Sequence, residues 1–253
     1  SAYDNARQAL GKEAGKAEIP WEIRPGAHYS MGGVRVDEFS RAYKSNSESN
    51  NTVIIEGLFA AGQAMGGLFG ANRLGSTSLT ELAVFGYRAG KMACEVAKKD
   101  KENIDSSIFE KSFNKYKSMF NKKGTEKAYQ LKLELQKECW DKIGPARTEI
   151  KLRKMFNYLN DLDKKLKKVN ISDDMTWNQQ FIDLVELINM KDTAKTIVLA
   201  SLERDKSLGG HVRLDKKTSS FLSKPYSTVV KLDQDGNYKS NRLLRNRTQW
   251  QRL

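Results

Sequence analysis

The sequence predicts a mainly α protein with a minor β part (α+β). It is an antiparallel helical bundle, preceded by an incomplete strand–turn–helix segment and followed by a C-terminal β-hairpin. Three observations carry this. Apolar residues recur at helical spacing through the middle of the chain, as Leu152, Met155, Phe156, Leu159, Leu162, Leu166 and Val169, and again as Leu184, Leu187, Ile188, Ala194, Val198 and Leu202. A glycine-lined turn, Gly62 to Gly75, separates a short apolar run from a helix start. Two β-rich runs, Ser227–Leu232 and Tyr238–Leu244, flank Asp233–Asn237, which reads as a hairpin turn.

In chain order, the first residues read as helical until Pro20, and Ile19–Pro25 as extended, because the residue before each proline avoids the helical region. Val34–Asp37 alternates as a strand, residues 44 to 52 form a polar loop, and Val53–Ala61 supplies one or two short strands, with Leu58–Ala61 read as buried. Ser78-Leu79-Thr80-Glu81 has the form of a capping box, which opens a helix with Leu79, Leu82, Ala83, Phe85, Ala89, Met92, Ala93 and Val96 on a broad apolar face. Ser107-Ile108-Phe109-Glu110 is a second such box, and Phe109, Phe113, Tyr116 and Phe120 follow at helical spacing. Helices are then expected from about Thr125 to Ile143, stopped by Gly144-Pro145, through Leu152–Val169, and from about Trp177 to Arg204. The short loops between them imply antiparallel neighbours, and the aromatic and methionine stripes read as core.

A chain of 253 residues can bury a real core. Hydrophobic residues make up 39% and charged residues 30%, and no apolar run is long enough to span a bilayer. The start, Ser1 to Lys16, lacks an initiator Met and the apolar stretch of a signal peptide. Two cysteines without a CxxC partner, Cys94 and Cys139, read as buried thiols in a reducing compartment, and two widely separated histidines make no metal site. The net charge of +13 raises the question of nucleic acid. Runs such as Asp163–Lys168 keep apolar residues between their lysines, which favours solvated helix faces, with no groove-entering motif and so no nucleic-acid partner.

The chemistry gathers in Gly57–Gly90, GLFAAGQAMGGLFGANRLGSTSLTELAVFGYRAG. Glycines let backbone amides approach a ligand, and the helix N-terminus beyond them favours an anion. Arg73, between turn and helix, is a fixed charge with a planar fork suited to a carboxylate. His28 lies between Gly26 and Gly32-Gly33, where the backbone is free to place an imidazole beside a ligand.

The segment resembles G-L-F-A-A-G-E…H-G-A-N-R-L-G-x-N-S-L-x-E/D of the succinate dehydrogenase and fumarate reductase flavoprotein subunits. Arg24–Val34 is similar to that family's R-P-x-A-H-Y-x-M-G-G-I/V. The resemblance implies that His28 and Arg73 bind the carboxylates of succinate or fumarate and serve catalysis, and that Ser76 lies at the substrate. It implies that Gly62, Gln63, Ser78 and Leu79 face FAD, the helix amides stabilising negative charge on reduced flavin. Gln63 stands for the usual Glu, Phe69 for His and Thr77 for Asn. Ser207–Asp215 resembles S-R-G-A-H-x-R-x-D with Leu208 for Arg; its His211 reads as structural, in a segment docking the C-terminal domain near the flavin domain.

On this resemblance residues 1–25 are the end of a capping domain, 26–99 the returning, incomplete FAD-domain segment, 100–180 a helical bundle domain and 181–253 a C-terminal domain with the hairpin. No G-x-G-x-x-G appears. The family's flavinylation histidine and proton-donating arginine belong to the half that precedes this region. The implied partners are a dicarboxylate and an iron–sulfur subunit, which in turn joins the protein to membrane-anchor subunits, with the protein cytoplasmic and peripheral on the inner face of the membrane. The basic tail, Arg242–Leu253, reads as part of the docking surface. L-Aspartate oxidase or a related dicarboxylate flavoenzyme is the alternative within the family, and a non-catalytic basic helical interaction module the alternative outside it.

Overall fold

The computed structural model describes residues 2–16, 28–45, 52–99, 106–216, 225–233 and 235–244. The chain divides into two units, Ser1–Lys99 and Asp100–Leu253. The expected extended stretch Ile19–Pro25, most of the polar loop at 44–52 and the tail past Leu244 lie outside the described residues.

The first unit opens with α1 (Ala2–Leu10) and a single turn, α2 (Lys12–Gly15). The expected helix to Pro20 is broken earlier, at Gly11, whose φ of +94° is left-handed and whose N–H closes on the Arg7 carbonyl at 3.1 Å. Four short strands follow: β1 (Val34–Arg35), β2 (Arg41–Ser45), β3 (Thr52–Phe59) and β4 (Met65–Gly66). β1 pairs with β4 in parallel, and β2 with β3 antiparallel. Between β3 and β4 lies one 3₁₀ turn, Gly62–Ala64, and after β4 comes α3 (Thr77–Lys99). The turn between β1 and β2 is tied by the Asp37 carboxylate, which accepts from the backbone N–H groups of Phe39 and Arg41 at 3.0 and 2.9 Å. The hydroxyl of buried Ser40 donates to Phe85 O at 3.1 Å and pins this hairpin to α3.

Leu58 is 46% exposed, against the expectation of a buried strand. A sheet of only two strands offers a single layer, and among the described residues no second layer covers Leu58. The N-terminal end of the predicted apolar face of α3 is likewise open, with Leu79 71% exposed.

The second unit contains α4 (Ser106–Lys117), α5 (Ala128–Ile143), α6 (Glu149–Leu166) and α7 (Gln179–Glu203). Ion pairs fix their directions. Lys165, late in α6, reaches Glu134, early in α5, at 2.9 Å, so these two run antiparallel. Lys132, early in α5, pairs with Asp183, early in α7, so α7 returns parallel to α5. One core fills the bundle, with Leu131 and Leu135 from α5, Leu152, Met155, Leu159 and Leu162 from α6, and Leu184, Leu187 and Val198 from α7. The sequence stripes supply these residues because the apolar positions recur once per turn. The two long helices begin where a side chain accepts an orphan amide: Thr148 Oγ1 from Lys151 N, and Asn178 Oδ1 from Phe181 N.

α5 starts at Ala128, later than expected, because the preceding segment has other backbone partners. Lys122 bridges to Ile171 and Glu126 to Val169. Gly124 is required there: a Cβ would stand 1.9 Å from the Lys168 carbonyl oxygen. The same pairing takes Val169 off the end of α6. The aromatic stripe of α4 is only partly core. Phe120 stacks on Phe181 with centroids 4.5 Å apart, whereas Phe109, Phe113 and Tyr116 are exposed.

After α7 comes β6 (Val212–Arg213), parallel to β5 (Ala146–Arg147) in the turn between α5 and α6. The predicted hairpin is present as β7 (Tyr226–Leu232) and β8 (Tyr238–Leu244), packed on α7. Of the two thiols expected to be buried, Cys94 is exposed on α3, and Cys139 is half-buried with its pKa pushed up to about 11 by burial and then by Glu138. Many lysines have carboxylate partners, among them Lys142 with Glu138, Lys151 with Asp141 and Lys191 with Asp163, in keeping with solvated helix faces. No helix among the described residues is long and apolar enough to cross a membrane.

Candidate functional site

One pair of glycines brings the site's loops together. Gly33 precedes β1 and Gly66 ends β4, and the two backbones touch: a Cβ on Gly33 would lie 2.3 Å from Ala64 O, and one on Gly66 2.7 Å from Gly33 N. Side chains at either position would push the strands apart, so the loop bearing His28 and the turn bearing Gln63 are neighbours only because these residues are glycine. Gly62 is set apart by its backbone: its φ of +66° is left-handed, a conformation that favours glycine, while a Cβ there would meet only the tip of the Leu82 side chain, Cδ2 at 2.6 Å.

Tyr29 is the hub. Its ring lies under the guanidinium of Arg73, with Cζ 5.0 Å from the centroid, and meets Phe69 edge-on at 5.5 Å. Its hydroxyl donates to Glu81 Oε2 at 3.3 Å. The other oxygen of Glu81 accepts from Gly62 N at 2.7 Å, and Glu81 is 3% exposed. Glu81 therefore does not close the expected capping box; its carboxylate joins the 3₁₀ turn to the tyrosine. Burial and the Glu81 carboxylate raise the Tyr29 phenol against the lowering pull of Arg73, so the ring stays neutral.

Arg73 also donates from Nη1 to Leu74 O at 3.3 Å and is partly exposed. His28 is exposed and adjoins Tyr29 in sequence, so the structure brings its backbone to the Arg73 loop. Ser76 is exposed and holds φ +66° immediately before α3, and its carbonyl accepts from Leu79 N at 3.2 Å. Thus Leu79's amide has a partner inside the chain. Gln63 is exposed on the 3₁₀ turn, and Ser78 is partly exposed in the first turn of α3. A Cβ at Gly70 or at Gly75 would meet nothing within 4 Å, so this loop presents an open backbone surface before a helix N-terminus. Of the groups expected at a flavin, Gln63 and Ser78 offer an amide and a hydroxyl side chain suited to its polar edge, while the amides of Gly62 and Leu79 are bonded to Glu81 and to Ser76 O. Among the described residues no cluster of His, Cys, Asp and Glu could hold a metal ion. Sequence reasoning missed Tyr29 and Glu81; the sequence signal was an acidic residue three places into a helix, which also reads as a cap.

His211 lies elsewhere, in the second unit. Arg147 Nη1 donates to its Nδ1 at 2.8 Å, and its Nε2–H donates to Arg204 O at 3.0 Å. It holds the α5–α6 turn against the end of α7. Burial, and the positive charges of Arg147, Arg213 and Arg204, lower its pKa. The unfolded chain therefore binds a proton that the folded one refuses. The stability from neutral His211 is fully present above about pH 6.5 and is lost as pH falls below it toward the folded value. The urea midpoint of the second unit is expected to drop between pH 7.5 and pH 5.5, and His211→Gln to remove that part of the drop. Equal pH slopes in the two proteins would refute the assignment.

The family model described as FAD binding domain matches residues 2–79, and that described as fumarate reductase flavoprotein C-term matches residues 132–251. The fumarate reductase flavoprotein subunit of Escherichia coli is 32% identical over 216 residues, covering 83% of this chain and 34% of that one. The succinate dehydrogenase flavoprotein subunit of Bacillus subtilis is 32% identical over 206 residues, which is 78% of this chain and 33% of that protein. A solved quinol–fumarate reductase with menaquinol molecules superposes with a TM-score of 0.82 at 29% identity, over 98% of this chain and 42% of its own. The chain belongs to the succinate dehydrogenase/fumarate reductase flavoprotein family. It spans about a third of the length of the curated relatives it matches.

Proposed function

We propose that this chain is the C-terminal part of an FAD-dependent oxidoreductase that interconverts succinate and fumarate. The observation that carries the reading is the seating of Arg73 on Tyr29, the residue after His28, beside a glycine-lined turn and the N-terminus of α3. Arg73 clamps one carboxylate with its planar fork, and His28 takes the other. Ser76 holds the backbone at the substrate. Clamped at both ends, the C4 dicarboxylate presents its C2–C3 bond in one orientation, which lowers the entropic part of the barrier. Gly62, Gln63, Ser78 and Leu79 form the edge that receives FAD, which when bound supplies the hydride acceptor and donor. Gln63, an amide where the family has a carboxylate, still offers a donor and an acceptor.

Within this reading residues 1–25 end a capping domain, 26–99 return to the FAD domain, 100–180 are the helical domain and 181–253 the C-terminal domain. An iron–sulfur subunit takes up the electrons, and anchor subunits hold the complex at the inner face of the membrane, the flavoprotein itself being cytoplasmic. Of the basic tail assigned to docking, Arg242 already serves the chain: it donates to Glu203 Oε1 at 2.8 Å and to Glu203 O at 2.7 Å. Docking therefore falls to residues past it. The deciding experiment uses the full-length flavoprotein loaded with FAD, assayed for fumarate reduction and succinate oxidation with an artificial redox dye. Turnover of either supports the reading. A flavin-replete protein that turns over neither defeats it, and one that oxidises L-aspartate moves the assignment to the other dicarboxylate flavoenzymes.

A further inference from the structure

Arg73 sits in a loop, and a loop by itself holds a long side chain poorly. Its guanidinium is supported from below by an aromatic face, at 5.0 Å from the Tyr29 centroid. That face is in turn fixed on two sides. Phe69 meets its edge at 5.5 Å, and its hydroxyl is held at 3.3 Å by Glu81, a carboxylate almost wholly withdrawn from water. Glu81 is anchored at its other oxygen by Gly62 N at 2.7 Å. Gly62 begins the turn that carries Gln63. One carboxylate thus links the flavin-side turn to the platform beneath the substrate-side arginine.

We propose that Tyr29 and Glu81 are positioning residues: Tyr29 seats the Arg73 guanidinium, and Glu81 sets Tyr29 in register with the Gly62 turn. The proposal rests on the dicarboxylate reading of the site. A buried acceptor that lost its tyrosine partner would keep an unmet demand, and a tyrosine that lost the carboxylate would be free to swing, so both changes loosen Arg73 without touching it. The ring contributes through its π face, which phenylalanine retains, and the hydroxyl through its hydrogen bond, which phenylalanine lacks.

The test is fumarate binding to the oxidised, FAD-loaded full-length protein, followed by the flavin absorbance change. Against the unsubstituted protein, Tyr29→Leu is expected to weaken binding at least about tenfold and Tyr29→Phe about threefold, with FAD content unchanged. Glu81→Gln is expected to fall with Tyr29→Phe, because an amide bonds the hydroxyl more weakly than a carboxylate does. The decisive readout is the cycle with Arg73→Ala: once the guanidinium is gone, Tyr29→Leu has nothing to position and is expected to change the remaining affinity by less than about twofold. An equal loss in both backgrounds makes Tyr29 a structural residue and overturns the proposal, as does a Tyr29→Leu protein that binds like the unsubstituted one. Should Tyr29→Leu fail to hold FAD, the same cycle with Tyr29→Phe decides: a loss with Arg73 present and none without it upholds the proposal, and equal losses overturn it. If the unsubstituted flavoprotein binds no fumarate, the dicarboxylate reading falls and takes this inference with it.

Discussion

Arg73→Lys in the full-length flavoprotein is expected to lower dicarboxylate turnover by roughly two to three decades, about 2–4 kcal/mol of transition-state stabilisation, while FAD remains bound. Lysine keeps the charge, so the expectation tests geometry. The arginine fork can bond both oxygens of a carboxylate in one plane and rest over the Tyr29 ring at the same time. An ammonium is a point charge, more strongly hydrated, and can satisfy only one of these demands well. FAD retention is expected because the groups we assign to the flavin, Gly62, Gln63, Ser78 and Leu79, belong to the turn and the helix that Glu81 joins. Near-normal turnover by the Arg73→Lys protein would rule out the assigned role, and loss of FAD would make Arg73 a structural residue of the turn.

The second large effect lies in the bundle. Arg213 has a side chain only 1% exposed, and four of its hydrogen bonds hold separate pieces of the second unit together. Nε and Nη2 bind the Asp215 carboxylate at 2.9 and 3.1 Å, and Nη1 binds the carbonyls of Ser201 and Arg204 at 3.1 and 3.2 Å. Asp215 in turn accepts from Glu149 N, the first residue of α6, at 2.6 Å, and the Arg213 guanidinium holds its carboxyl far below the usual carboxylate range. Removing the cation strands a carboxylate and two carbonyls. Arg213→Met is therefore expected to cost the second unit roughly 3–5 kcal/mol, read as a lower urea midpoint by circular dichroism. Adding Asp215→Leu to Arg213→Met is expected to restore part of that loss, since the stranded charge is then gone. A shift below about 1 kcal/mol in the single variant would mean that water replaces the guanidinium at no great cost.

Much of this was legible in the sequence. The heptad-like run from Leu152 to Leu162 and the run from Leu184 to Val198 are core because helical periodicity puts such residues on one face whatever lies around them. The hairpin about Asp233 and the stop at Gly144 follow from turn chemistry in the same local way. The wording around His28 and Arg73 marked the candidate site. Its two supports were not legible. Glu81 satisfies a capping pattern in sequence, but in the fold its carboxylate faces Gly62, nineteen residues earlier, and Tyr29, fifty-two earlier.

The sequence by itself determined the periodic elements, the glycine turn and the chemical types present at the site, because each depends on neighbours within a few residues. Only the tertiary structure decided which of those side chains meet. The approach of Gly33 to Gly66, the seat of Arg73 on Tyr29 and the double engagement of Glu81 are contacts between segments well separated in the sequence. It also decided exposure. Leu58 and Phe109 have the apolar character of core residues, yet both lie open, because burial depends on the layer packed above a residue as well as on its own hydrophobicity.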